Sequence, residues 1–174
     1  MKISAKNRTN LDKLFKLFEK SVPELTSDHT IFNPFLSPTK PNTHRNQLRK
    51  LAKELINIEI IQHNARIFQR SKFDINGSDF NYMTKISSNK NNPLHLIDPK
   101  TRKFISQEKI IENFLKRNKL DGISNIPMPE PQLPKRVRNK FDRLTLLSIL
   151  GLLITNDPKS SSIIIKDHLL TLKR

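Results

Sequence analysis

The chain has 174 residues with 32 Lys and Arg against 16 Asp and Glu, a formal net charge of +16, and it contains no Cys. Such an excess opposes compaction of a free globule and asks for a polyanionic partner, usually nucleic acid, where Lys and Arg displace counterions condensed on phosphate. Disulfides, thiolate metal sites and cysteine nucleophiles are excluded, and the longest apolar-rich run, Leu144 to Ile154, is too short to span a membrane.

Met1 to Leu11 holds Lys2, Lys6 and Arg8 without an acid, a composition shared by matrix-targeting segments and by plain basic termini. Asn10 is placed to cap a short helix in which Leu11, Leu14, Phe15 and Phe18 recur at helical spacing, ending before Pro23. From Thr26 to Asn42, Pro34, Pro38 and Pro41 predict an extended arm with Ile31, Phe32, Phe35 and Leu36 as apolar anchors.

Thr43 opens the strongest helical pattern, predicted to run to about Lys72, a length of roughly 45 Å. Leu48, Leu51, Leu55, Ile58, Ala65 and Phe68 form its expected apolar seam, with Arg45, Arg49 and Lys53 as a basic ridge beside it. Arg66 and Arg70 return to the ridge's sector two turns on, together with Ile56, Ile60 and Ile67. The second half of this helix is therefore expected to be buried on more than one side.

Ile75 to Pro93 is rich in Asn, Ser and Gly and predicts a loop. Leu94 to Ile97 and Arg102 to Ile105 flank Asp98-Pro99-Lys100-Thr101, a turn sequence with Pro at its favoured second position, and predict a small β-hairpin. Ser106 should cap a helix with Glu108 in its first turn, Ile105 stapling Ile110, and Ile110, Ile111, Phe114 and Leu115 facing inward before Gly122. Pro127, Pro129, Pro131 and Pro134 predict an extended linker. The basic run Lys135, Arg136, Arg138, Lys140 and Arg143 leads into the apolar helix ending near Thr155, and a last helix, capped between Ser160 and Ser162, completes a helical hairpin.

The expected fold is mainly α, with a long central amphipathic helix, short helices, a small β-hairpin, extended Pro-rich arms and the C-terminal helical hairpin. Its divisions are an N-terminal helix and arm (1–42), a helical core (43–125), a Pro-rich linker (126–134) and the basic run with the hairpin (135–174).

No Gly-rich phosphate loop, zinc-protease helix, nucleophile elbow or calcium loop occurs, and His29, His44, His63, His95 and His168 lack ligand spacing. No catalytic residue, metal, cofactor or small-molecule substrate is expected. Without an RNP-type aromatic pattern or a KH loop, recognition of RNA by shape and backbone is the expectation. The residues expected to carry it are Arg45, Arg49, Lys53, Arg66, Arg70, Lys135, Arg136, Arg138, Lys140 and Arg143.

Across Leu11 to Lys53, a short amphipathic helix precedes Asn33-Pro34-Phe35-Leu36-Ser37-Pro38, then Pro41, Thr43 and a basic helix through Leu48-Arg49-Lys50-Leu51-Ala52. This order resembles a fungal mitochondrial large-subunit ribosomal protein family, which carries an Asn-Pro-Phe-Leu-Pro segment before a basic helix; here Ser37 stands between Leu36 and Pro38. The resemblance implies a structural constituent of the mitochondrial ribosome in the matrix, not an enzyme, with rRNA and neighbouring ribosomal proteins as partners. The alternative is a non-ribosomal helical adaptor or assembly factor that binds a protein through the C-terminal hairpin.

Overall fold

The computed structural model describes residues 5–20, 43–70, 95–98, 100–101, 103–124 and 134–171. The arm expected over 26–42, the loop over 75–93 and most of the Pro-rich linker, up to residue 133, lie outside the described residues. Within them the chain is mainly helical. In order come α1 (Ala5–Leu17), α2 (Thr43–Arg70), β1 (Leu96–Ile97), β2 (Phe104–Ile105), α3 (Gln107–Arg117), α4 (Lys135–Asn156) and α5 (Pro158–Ile164), which continues as a π-helical turn, Ile165–Leu169.

The core is built around α4. Every residue from Thr145 to Gly151 is buried, and a helix buried on all sides needs neighbours on all sides. The most extensive of these is α2. A Cβ on Gly151 would fall 2.1 Å from the carbonyl oxygen of Leu48 and 2.5 Å from its carbonyl carbon, so the two backbones touch there. Glycine inside a helix costs about 1 kcal/mol relative to alanine. Here it permits the close approach that buries Leu48, Ala52, Ile56 and Ile60 against α4 and its neighbours.

This contact corrects the expected seam on α2. Leu48 belongs to it, but Leu51 and Ile58 are 40% and 48% exposed, Leu55 is only partly buried and Ala65 is exposed. The helix carries two apolar rows, and burial falls on the one containing small Ala52, where a backbone can approach.

α1 begins at Ala5, so Asn10 lies inside the helix rather than at its cap. Leu11, Leu14, Phe15 and Phe18 are buried as the spacing predicts. Both α1 and α3 end in Schellman motifs without glycine. Lys20 N donates to Phe15 O and Glu19 N to Lys16 O, while Leu120 N donates to Leu115 O and Lys119 N to Lys116 O. Glu19 and Lys119 take the left-handed positions, with φ of 56° and 53°. Buried Leu120 over buried Leu115 supplies the apolar contact that accompanies this motif.

The hairpin is antiparallel, pairing Leu96 with Ile105 and Ile97 with Phe104. Asp98 closes it through its own N–H to Lys103 O and a carboxylate that accepts from Lys100 N and Thr101 Oγ1. Two-residue strands do not stand alone. Buried Asn64 of α2 supports them as a third strand would: its Nδ2 donates to His95 O at 2.9 Å, and its Oδ1 accepts from Ile97 N at 3.1 Å.

Ser106 caps α3 by accepting from Lys109 N. α5 is capped by Asp157, which accepts from Ser160 N with Pro158 following it, and not by the serines beyond. Phe18 stacks on Phe114 at 5.9 Å and tilts against His168 at 5.7 Å, joining α1, α3 and the π-helical turn. Arg117 closes that end by donating to His168 O and Thr171 O.

Two substitutions test this packing by urea denaturation. Gly151→Ala lowers stability by about 1–3 kcal/mol despite its better helix propensity, because the new methyl meets backbone and the helices must separate. Ile56→Ala costs about 2–5 kcal/mol as a core cavity. Leu51→Ala on the outer row costs less, about 1 kcal/mol, since its side chain keeps 40% of its exposure and its loss leaves no enclosed cavity.

Candidate nucleic-acid interface

The first turns of α4 gather charge where helix electrostatics opposes it. Pro134, with φ −57° and ψ 143°, precedes the helix without a side-chain cap, and the first turn has no acid. Lys135, Arg136, Arg138 and Lys140 nevertheless occupy this end. The partial positive charge of a helix N-terminus favours anions, and a cation in the first turn is disfavoured by roughly 0.3–1 kcal/mol at an exposed site. This end of the free protein is thus electrostatically frustrated.

α3 lies alongside it. Two recesses open between the helices, one of about 230 Å³ reached by Lys109, Lys116 and Lys135, the other of about 880 Å³ reached by Lys135, Arg136, Lys140 and Arg143. The acids on their walls are Glu108, Glu112, Asp121 and Asp142. Two of these four are already engaged. Glu112 accepts from Arg143 Nη1 at 2.5 Å, and Asp142 is turned into the core. That leaves Glu108 and Asp121 against Lys109, Lys116, Lys135, Arg136 and Lys140, all five of them exposed.

Asp142 holds this end of α4 in place. Its carboxylate accepts from Gly122 N and Ser124 N, each at 3.0 Å. From the other side, α1 engages the carbonyls of the same segment: Asn7 Nδ2 donates to Gly122 O and Ser124 O, and Asn10 Nδ2 to Asp121 O. Gly122 has φ of +88°, a conformation that a side chain would strain. One short turn is therefore clamped between an acid of α4 and two amides of α1. Burial raises the Asp142 pKa above the ordinary range, with the two N–H groups pulling it partly back.

The cations expected to bind RNA do not share one surface. Arg45 is 2% exposed. Arg49 is half-buried, its Nε donating to Leu144 O and Ser148 Oγ of α4, and its pKa is lowered to about 10 by burial and then by the charge of Arg45. Burial likewise lowers the pKa of Arg45. The ridge expected on α2 is therefore corrected: Arg45 is buried, Arg49 is half-buried in the contact with α4, and Lys53 is exposed. The carbonyl of Lys53 accepts from Gln107 Nε2, so it lies on the turn of α2 against which α3 begins.

Arg66 is exposed near the far end of α2, and the Arg70 side chain lies outside the described residues. Arg138 is half-buried, with a buried Nε that finds no hydrogen-bond partner among the described residues, and Arg143 is tied to Glu112. The structure brings together Lys135, Arg136 and Lys140 and adds Lys109 and Lys116, which sequence reasoning missed. Their signal was present: seven residues apart, they share the outward face of a helix whose inward face was legible.

Among the described residues, no group of three His, Asp or Glu is placed to hold a metal ion, and no helix is long and apolar enough to cross a membrane. Compared with family models, curated proteins and solved structures, the chain matches none.

The clamp on the 121–124 turn has a pH signature. Because the folded state holds the Asp142 proton more tightly than the unfolded chain does, its contribution to stability is greatest when both states are protonated. It declines as pH rises from about 4 through the raised folded value. Asp142→Asn, which offers one acceptor to two N–H groups, destabilises by about 1–3 kcal/mol. Urea titrations over this window should show the gap between wild type and variant narrowing as pH rises; a constant gap would remove the assignment.

Proposed function

We propose that the chain is a non-enzymatic, RNA-binding structural constituent of the mitochondrial ribosome, contacting rRNA backbone along α3 and the basic end of α4. The carrying observation is the set of exposed cations at Lys109, Lys116, Lys135, Arg136 and Lys140, gathered around the positive end of a helix that no acid caps. Phosphates supply the missing negative charge, and helix N-termini accept them readily. The net charge of +16 supports the same class of partner, and the resemblance over Leu11 to Lys53 supports the ribosomal setting. Shape and backbone are what such a surface recognises, since it offers cations but no aromatic platform for bases.

The second reading, a helical adaptor or assembly factor, is favoured by the partly exposed apolar residues Leu51, Ile58 and Ile61 of α2. Sedimentation of tagged protein at low and high salt separates the two. A structural constituent stays with a ribosomal subunit in both, whereas an adaptor leaves it.

Replacing Lys135, Arg136 and Lys140 together by Gln gives opposite signs for binding and stability. RNA binding weakens about uniformly across sequences, and the salt dependence flattens by about 0.7–0.9 units of slope per lost phosphate contact. Stability rises by a few tenths of a kcal/mol or more, because cations leave a positive helix end and Gln has nearly the same helix propensity. An unchanged slope with binding intact rules out this surface.

A further inference from the structure

α2 is apolar on two sides, and among the described residues one of them is buried. Its inner row, Leu48, Ala52, Ile56 and Ile60, is buried, while on the outer side Leu51, Ile58 and Ile61 are 40%, 48% and 50% exposed and Ala65 completes the row. From Leu51 to Ala65 this is four turns, about 21 Å of helix. A helix apolar on both sides is a buried helix, and water is a poor neighbour for two isoleucines and a leucine aligned on one face.

We infer that the outer face of α2 docks an amphipathic helix of another protein, with its apolar stripe on Leu51, Ile58 and Ile61 and acidic residues along its borders. Charge selects this occupant. Among the described residues the exposed cations of the helix are Lys50, Lys53 and Arg66; Lys53 lies on the side away from the row, and the exposed acid, Glu54, lies within it, three residues after Leu51 and four before Ile58. Lys50 flanks the row on one side and Arg66 on the other by helical geometry. A partner bordered by Asp and Glu is attracted to these flanks. A second copy of this chain brings another +16 and is repelled. RNA has no use for the isoleucines, whose burial supplies binding energy only against apolar groups. The surface lies on a different helix from the cations assigned to RNA, so it stands or falls separately from that assignment.

The test uses the full chain and a labelled 15-residue helical peptide with Leu at its heptad core positions and Glu at the flanks, beside a peptide of the same core with Lys flanks. The Glu-flanked peptide should bind, with the Lys-flanked one at least 10-fold weaker. Ile58→Ser, which keeps the charge, should weaken peptide binding at least 10-fold and leave the salt-dependent RNA affinity unchanged. The Gln triple variant of Lys135, Arg136 and Lys140 should show the reverse pattern. Equal binding of the two peptides overturns the acidic borders assigned to the occupant, and binding that survives Ile58→Ser overturns the inference as attraction to the net charge of +16 alone. A dimer that dissociates on Ile58→Ser also overturns it, by making a second copy the occupant; a change in RNA affinity on Ile58→Ser would make RNA the occupant.

Discussion

The backbone contact between Leu48 and Gly151 sets the geometry on which the rest of the molecule depends. With a Cβ at Gly151 the two helices could not reach each other, since that atom would fall 2.1 Å from the Leu48 carbonyl oxygen. Their closeness decides which row of α2 faces inward. The choice in turn buries Ala52, Ile56 and Ile60, turns Asn64 toward the hairpin and sets Glu59 against Ser162 of α5, whose hydroxyl donates to its carboxylate. Lys166 of the π-helical turn is a further 3.6 Å partner of the same buried carboxylate. A single missing side chain thus propagates along the second half of α2, through Asn64 to the hairpin and through Glu59 to the C-terminal helix.

The second constraint is polar and acts at the other end of α4. A turn offers N–H groups in one direction and carbonyls in the other, and both sets need partners when buried. Asp142 takes the N–H groups of Gly122 and Ser124, and Asn7 takes their carbonyls. α1 is thereby tied to α4 through a segment of four residues, although the two helices lie more than a hundred residues apart in sequence. The same arrangement presents the cations of α4 to those of α3. Asp142, buried at the wall of the recess, thereby holds the two helices that border it.

Much of the fold was legible because its signals are local. The hairpin was marked by Asp98-Pro99-Lys100-Thr101 between two short apolar runs, and α3 by Ser106, Glu108 and its inward apolar set; the structure contains both. What escaped was nonlocal or lacked its usual residue. α1 and α3 end on Glu19 and Lys119 in the left-handed region, where sequence patterns look for glycine. Asn10 has the chemistry of a cap but spends its amide on Asp121 O, a partner 111 residues away. The seam expected on α2 shares Leu48 with the buried row and departs from it at Leu51 and Ile58, because both rows are apolar and the position of Gly151 on another helix distinguishes them. The basic site was half legible for the same reason: the run from Lys135 to Arg143 is contiguous, whereas Lys109 and Lys116 join it only once α3 and α4 are side by side.

Cations on this chain are of two kinds, separated by burial. Arg49 holds α2 to α4 through a carbonyl and a hydroxyl, neutral acceptors that leave its charge uncompensated, and burial with nearby Arg45 pushes its pKa down to about 10. Such a residue fixes helix geometry and is not available to a partner. Lys109, Lys116, Lys135, Arg136 and Lys140 have the opposite character: each is exposed, and none is in an ion pair among the described residues. Sequence composition counts both kinds alike, which is why a net charge of +16 does not say which cations the fold leaves free. Location comes from asking which cations the fold has already used. By that criterion the basic end of α4 is the place where the free protein still carries unfavourable charge, and where an arriving phosphate lowers the energy of the helix as well as that of the complex.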